Sequence, residues 1–230
     1  MIIGILGTVG SGKSISATRF IVENDNFNYT NLNVEAPNCM RIKKDFIVKE
    51  EITGHTKTGK PVKEHKVNWD YWNKALKKHK NYNIVLDEAH NLINSRRGMS
   101  KQNVFMGEWI SQIRKLLGES EKTHIVFVSQ RLKRLDNVAK DLFDTIIYCE
   151  SWKSSFRFPM PCLFHGKIIK KNVPLVFVRQ NYFIGENCMN RYKLYREGVK
   201  KARNFQTQFL ANKYFKHNDT FKIVGESAYI

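Results

Sequence analysis

The chain reads as an α/β fold with a mainly parallel sheet between helices, and three observations carry that reading. Short apolar segments alternate with amphipathic ones through the first 150 of 230 residues. A glycine-rich turn joins the first apolar segment to the first amphipathic one. An acidic pair closes a later apolar segment.

The elements follow in order. Ile2-Ile3-Gly4-Ile5-Leu6 is a short continuous apolar run, as a fully buried strand requires. From about Ser14 to Glu23, Ile15, Phe20 and Ile21 recur at helical spacing. Asn31–Glu35 is taken as a second strand. Residues 46–67 form two β-rich arms around Gly54-His55-Thr56-Lys57-Thr58-Gly59-Lys60-Pro61, which reads as a long-looped hairpin inserted in the domain. Trp69–His79 is a helix with Tyr71, Trp72 and Leu76 on one side, and Asn83–Leu86 is another buried strand. Phe105–Leu117 carries Trp109, Ile110, Ile113, Leu116 and Leu117 at helical spacing, and His124–Ser129 and Thr145–Cys149 are further strands.

The alternation fails after Glu150. Phe156–Phe164 contains Pro159 and Pro161. Gly166–Ile184 reads as a basic hairpin turning at Lys170-Lys171-Asn172, and Arg191–Lys216 as helical. The organisation expected is therefore a core over 1–150 and a small basic extension over 151–230.

Charge narrows the partners. The chain holds 39 Lys+Arg against 21 Asp+Glu, a net +18. Residues 151–230 hold 15 Lys+Arg and 4 Asp+Glu, against 24 and 17 in residues 1–150. Such an excess points to an anionic partner, with nucleic acid ahead of an acidic membrane surface. No apolar run approaches the roughly 20 residues of a membrane span, and Met1–Leu6 lacks the basic flank of a signal peptide. Cys39, Cys149, Cys162 and Cys188 are widely spaced, without metal-ligand spacing, and read as reduced thiols.

Gly7-Thr8-Val9-Gly10-Ser11-Gly12-Lys13-Ser14 matches G-x-x-x-x-G-K-[ST] in full, after a strand and before a helix. Glycines let successive backbone N–H groups turn inward around phosphates, and the helix adds its positive end. Lys13 reaches the β and γ phosphates of ATP, and the Ser14 hydroxyl binds Mg²⁺. Asp87 and Glu88 stand at the carboxyl end of a strand, where open α/β sheets place their ligands. Asp87 fits the Mg²⁺ role through the metal's water shell, and Glu88 the general base that deprotonates the attacking water. Gln130, at the end of His124–Ser129, both donates and accepts hydrogen bonds and so can report the γ-phosphate.

The tetrad Asp87-Glu88-Ala89-His90 also spells the motif of a helicase family. Those enzymes use a second RecA-like domain, for which 230 residues leave no room, and carry Ser-Ala-Thr where Val128-Ser129-Gln130-Arg131 stands. His90 then reads as a helix-face residue.

Ile113-Arg114-Lys115, Gly118 and His124-Ile125-Val126-Phe127-Val128-Ser129-Gln130-Arg131, together with the phosphate loop and the acidic pair, resemble the FtsK–HerA superfamily of DNA-pumping ATPases. The resemblance covers 1–150. It is strongest to the genome-packaging ATPases of tailless, often membrane-containing viruses, and the chain is also similar to the zonula-occludens-toxin-like assembly ATPases of filamentous phages. It implies a RecA-like, additional-strand P-loop core in which the Gln130 strand lies between the phosphate-loop strand and the acidic-pair strand. It implies a hexameric ring on double-stranded DNA, located in the host cytoplasm or at the packaging vertex of a virion, with a capsid or membrane protein of the virion as a further partner. The alternative implied is an assembly or secretion ATPase that binds coat protein or membrane. An arginine from the neighbouring subunit completes the site in this family. Arg114 is the first choice, before Arg131, Arg134, Arg96 and Arg97. Leu132 stands where many relatives have proline, and residues 46–67 have no clear counterpart.

For sequence-independent grip on DNA phosphates the candidates are Lys57, Lys60 and Lys63, then Arg96, Arg97 and Lys101, then Lys167, Lys170 and Lys171. Arg191, Lys193, Arg196, Lys200, Lys201 and Arg203, interleaved with Tyr192, Tyr195 and Phe205, form a further basic–aromatic stretch.

Overall fold

The computed structural model describes residues 1–42, 44–55, 58–79, 81–89, 108–113, 115, 122–130, 132, 135, 140–161 and 168–217. Of residues 44, 45, 48, 50, 63–65, 76, 77, 155–161 and 168–174 it describes the backbone. The elements in chain order are β1 (Ile2–Leu6), α1 (Lys13–Glu23), β2 (Phe27–Thr30), β3 (Cys39–Arg41), α2 (Lys44–Ile47), β4 (Val48–His55), β5 (Pro61–Val67), α3 (Trp69–Lys78) and β6 (Tyr82–Leu86). They continue with β7 (His124–Ser129), β8 (Thr145–Pro161), β9 (Ile168–Ile184), α4 (Cys188–Arg196) and β10 (Phe205–Leu210), with 3₁₀ turns at Lys200–Ala202 and Ala211–His217.

The main sheet has the order β10-β9-β8-β1-β7-β6-β2-β3. Its pairs from β8 to β3 are parallel, and β9 and β10 are added antiparallel. This is the mainly parallel α/β sheet of a P-loop NTPase. β7 lies between β1 and β6, so the strand ending at Gln130 separates the strands that carry the phosphate loop and the acidic pair.

β1 is buried along its whole length because it is central and covered on both faces. One face packs Ile3, Ile5, Val85, Val126 and Val128 against Ile15 and Ile21 of α1. The other packs Ile2, Leu6, Ile84, Ile125 and Phe127 with Trp72 of α3 and Trp109, Ile110 and Ile113 of helical residues 108–113. The central strands also bury asparagines. Asn83 donates to Asn28 Oδ1 (2.9 Å) and accepts from Asn26 Nδ2 and the His124 N–H (3.1 Å each). Asn28 in turn donates to the Asn26 carbonyl (2.8 Å). Each amide is partnered, which is the condition for burying it.

Several expectations hold. Residues 46–67 contain an antiparallel two-stranded hairpin, β4–β5. The strands expected at Ile2–Leu6, Asn83–Leu86 and His124–Ser129 are present, and the helix expected at 105–117 is helical over 108–113 and at 115, the part described.

Others are corrected. The second strand is Phe27–Thr30, and the chain leaves the sheet at Asn31. The aromatic residues and the satisfied Asn28 favour the earlier register. The basic hairpin does not turn at Lys170-Lys171-Asn172. Those residues lie within β9, opposite Pro159, Phe158 and Arg157 of β8. Pro159 and Pro161 read as breaks, but they sit where β8 has no neighbour on its other side, and an edge tolerates proline. The tail is not one helix. Gly198, at φ +109°, ends α4, its N–H bonding the Tyr195 carbonyl (3.1 Å), and β10 follows as a strand paired with β9. The boundary expected at residue 150 falls inside β8, and β9 and β10 continue the same sheet.

Candidate functional site

The phosphate loop leaves β1 at Leu6 and enters α1 at Lys13. Gly10 and Gly12 hold φ of +74° and +84°, the left-handed region in which glycine carries no steric cost. Space is the second constraint. A Cβ on Gly12 would lie 2.4 Å from Val178 Cγ2, and one on Gly7 2.7 Å from the Cys149 carbonyl oxygen. The loop is thus braced by β8 and β9, and the Ser151 hydroxyl also donates to the Gly10 carbonyl.

Lys13 and Ser14 open α1 side by side. Lys13 is buried and its ammonium donates to the Thr8 carbonyl (2.7 Å). Burial lowers its pKa, and the nearby Asp87 and Glu88 carboxylates oppose that shift. Ser11 Oγ is buried with no hydrogen-bond partner among the described residues. A buried hydroxyl left in this way inside a ring of backbone N–H groups fits an anion.

Ser14 Oγ donates to Asp87 Oδ2 at 2.8 Å. This joins the start of α1 to the end of β6, residues 73 positions apart in sequence. Asp87 has its pKa raised, chiefly by burial, against the hydrogen bonds from Ser14 and the Glu88 N–H and the charge of Lys13. A buried carboxylate paired with a hydroxyl is an all-oxygen donor set suited to a hard cation such as Mg²⁺. Among the described residues no cluster of three His, Cys, Asp or Glu could hold a metal by itself, so such an ion would draw further ligands from phosphate and water.

Glu88 adopts φ +52°, the left-handed region rare for a residue with a side chain. Its Oε1 accepts from Gln130 Nε2 at 3.0 Å. The carboxylate and the amide, from the ends of adjacent parallel strands β6 and β7, therefore meet directly.

Asn31 was not singled out by sequence. Its Oδ1 accepts from the Asp87 N–H (2.7 Å) and its Nδ2 donates to the Asp87 carbonyl (2.9 Å). The only signal was an asparagine just past a short apolar segment, which ordinarily marks a turn.

The structure brings Gly7 through Ser14, Asp87, Glu88 and Gln130 to the carboxyl ends of β1, β6 and β7. Lys60 is exposed at the tip of the β4–β5 hairpin, and Lys63 is on β5. Arg114, Arg131, Arg134, Arg96, Arg97, Lys101, Lys57, Lys167 and His90 lie outside the described residues. The basic–aromatic stretch is largely internal. Tyr195 is buried and Tyr192 packs with Tyr148 and Phe183. The Arg196 guanidinium lies 4.9 Å from the centre of the Tyr148 ring, and Arg203 donates to Asn181 Oδ1 (3.1 Å). Arg191, Lys193 and Lys201 remain exposed. No described helix is long and apolar enough to cross a membrane.

No protein-family model matches the chain, and no curated protein matches it. Among solved structures it is similar to the N-terminal domain of zonular occludens toxin from Neisseria meningitidis, at 17% identity over 95% of this chain and 98% of that one, with a TM-score of 0.49. It is similar to the DNA-packaging ATPase of Sulfolobus turreted icosahedral virus, at 13% identity over 93% of each chain and a TM-score of 0.42. It is also similar to a KaiC-like protein from Pyrococcus horikoshii, at 13% identity over 76% of this chain and 84% of that one, with a TM-score of 0.39.

Proposed function

We propose that this chain is an Mg²⁺-dependent ATPase of the FtsK–HerA type. As a ring, hexameric by resemblance, it couples hydrolysis to the movement of double-stranded DNA, most plausibly into a viral capsid. The observation that carries the ATPase reading is the Ser14–Asp87 hydrogen bond beside the Glu88–Gln130 contact. A full phosphate-loop motif and an acidic strand end, far apart in sequence, meet with the polar end of a third strand between them.

The residues divide the chemistry. The loop N–H groups of Gly7–Ser14 and the Lys13 ammonium hold the β and γ phosphates. Ser14 and Asp87 hold Mg²⁺, which neutralises phosphate charge when bound. Glu88 takes a proton from water as its oxygen attacks the γ-phosphorus and the β–γ bridging bond breaks, releasing ADP. Gln130 exchanges its contact with Glu88 for the γ-phosphate or the attacking water. Arg114 from a neighbouring subunit supplies positive charge to the transferring phosphoryl group. The +18 net charge, with Arg96, Arg97, Lys101, Lys57 and Lys60 as contacts, supports DNA as the polymer moved.

The test has two arms. Glu88→Gln should keep ATP binding and lose most turnover, and a wild-type rate would remove Glu88 as the base. The wild-type ATPase rate should rise with double-stranded DNA, and the stimulation should weaken as salt rises. Indifference to DNA at low salt would remove the translocase reading and leave the ATPase.

A further inference from the structure

β8 and β9 are far longer than the sheet needs. β8 pairs with β1 only over Thr145–Tyr148, and β9 pairs with β10 only over Phe177–Tyr182. Their mutual register nevertheless runs without a shift from Thr145 opposite Ile184 to Pro161 opposite Ile168. Among the described residues no other strand flanks the ribbon from Ser154 to Pro161 and from Ile168 to Leu175. At roughly 3.3 Å per residue this free part extends about 26 Å past the phosphate-loop end of the sheet.

The ribbon is two-faced. In an antiparallel pair, directly opposed residues share a face and alternate positions change face. By this register one face takes positions 152, 154, 156, 158 and 160 with 177, 175, 173, 171 and 169. These are Trp152, Ser154, Phe156, Phe158 and Met160 with Phe177, Leu175, Val173, Lys171 and Ile169, eight apolar residues in ten. At its base the face is open. Trp152 stacks on Phe177 and is 36% exposed, and Leu210, opposite Phe177 on β10, is 38% exposed. The other face carries Lys153, Arg157 and Lys170. Over 151–161 and 168–178 there are four cations, these three and Lys171, and no Asp or Glu.

A two-stranded ribbon with an uncovered apolar face is marginal in water and calls for a partner. Charge selects among partners. A second copy of this chain, at +18, would repel a ribbon that lacks any acidic residue. Duplex DNA would use the cations and leave the apolar ladder in water. An anionic bilayer surface satisfies both faces, taking the apolar side chains into the acyl boundary and the Lys and Arg ends among the headgroups. We infer that the β8–β9 ribbon is a membrane-docking arm specific for anionic lipid surfaces. Because Val178 braces Gly12 and Ser151 holds Gly10 at its root, the docked arm is anchored beside the phosphate loop.

The test uses the full chain, without ATP or DNA, so it stands or falls apart from the translocase reading. Flotation is measured with vesicles of phosphatidylcholine and with vesicles of phosphatidylcholine and phosphatidylglycerol in equal parts. Wild type should float with the anionic vesicles at low salt and not with the neutral ones. Phe156→Ser with Phe158→Ser should lose flotation by tenfold or more while keeping the wild-type basal ATPase rate, which checks folding. Lys153→Glu with Arg157→Glu should lose it as well. Three results would each overturn the inference: no flotation of wild type with anionic vesicles, wild-type flotation by the double Phe variant, or a fall in the solution mass of that variant, which would assign the apolar face to a second copy.

Discussion

The side-chain amide of Asn31 closes a two-bond ring on the main chain of Asp87, accepting from its N–H at 2.7 Å and donating to its carbonyl at 2.9 Å. It thereby extends the β2–β6 pairing by one side-chain step, past Thr30 opposite Val85. Beyond this clamp the backbone turns into the left-handed conformation of Glu88. Asn31→Ala should leave two buried main-chain groups unsatisfied, at a cost of about 1–3 kcal/mol. Because the groups lie between Asp87 and Glu88, the loss should appear in turnover, with kcat falling on the order of tenfold and nucleotide affinity little changed. Steady-state kinetics beside a nucleotide titration checks this. A matched loss in affinity would mean that Asn31 only supports the fold.

The loop glycines answer to the arm that braces them. Gly12→Ala meets Val178 Cγ2 at 2.4 Å and must also hold φ +84°. The variant should bind ATP poorly and unfold earlier. Gly12→Ala with Val178→Ala removes the clash and keeps the backbone strain, which is worth about 1–2 kcal/mol. Partial recovery of thermal stability is therefore expected, read by comparing melting curves. Full recovery would show that strain at Gly12 contributes nothing.

Much of this site was legible because its chemistry is local. Gly7 through Ser14 form one continuous motif, and Asp87 and Glu88 adjoin a run of apolar residues that can only be a buried strand. Their meeting through Ser14 was expected from roles assigned separately, and β7 between β1 and β6 was expected from resemblance. Asn31 escaped because an asparagine beyond a strand carries the same signal whether it faces solvent or clamps a neighbour. The β8–β9 ribbon escaped because Pro159, Pro161 and Pro174 argue against a strand unless its edge is known to be free. The buried Asn28 and Asn83 escaped for the reverse reason, since their partners lie on other strands.

Asp87 sets function against stability. Burial raises its pKa, so its charge is costly in the protein without cation and nucleotide. Asp87→Asn keeps an oxygen to accept from Ser14 and removes the charge. It should abolish ATPase activity while leaving the melting temperature without ligand equal to or above that of wild type. Differential scanning of the two proteins without nucleotide decides the point. A large fall in melting temperature would mean that the carboxylate's hydrogen bonds outweigh its burial.

Glu23 ties the end of the chain to the phosphate-loop helix. It accepts from Arg19 Nε (2.8 Å) and from the Tyr214 hydroxyl, and Lys213 stands 3.8 Å away. Burial alone would raise its pKa, but the Tyr214 and Arg19 hydrogen bonds and the positive charges outweigh it, and the net shift is downward. A depressed carboxylate contributes stability that is present above its ordinary pKa and lost as pH falls through the folded value. Glu23→Gln should therefore melt below wild type at pH 7, by less than about 1 kcal/mol because the side chain is 40% exposed and solvent screens it. The difference should close as pH drops below the folded pKa of Glu23, where wild type carries the same neutral group. Melting curves of both proteins across that range test it. A gap that persists at low pH would show that Glu23 acts through packing and not through its charge.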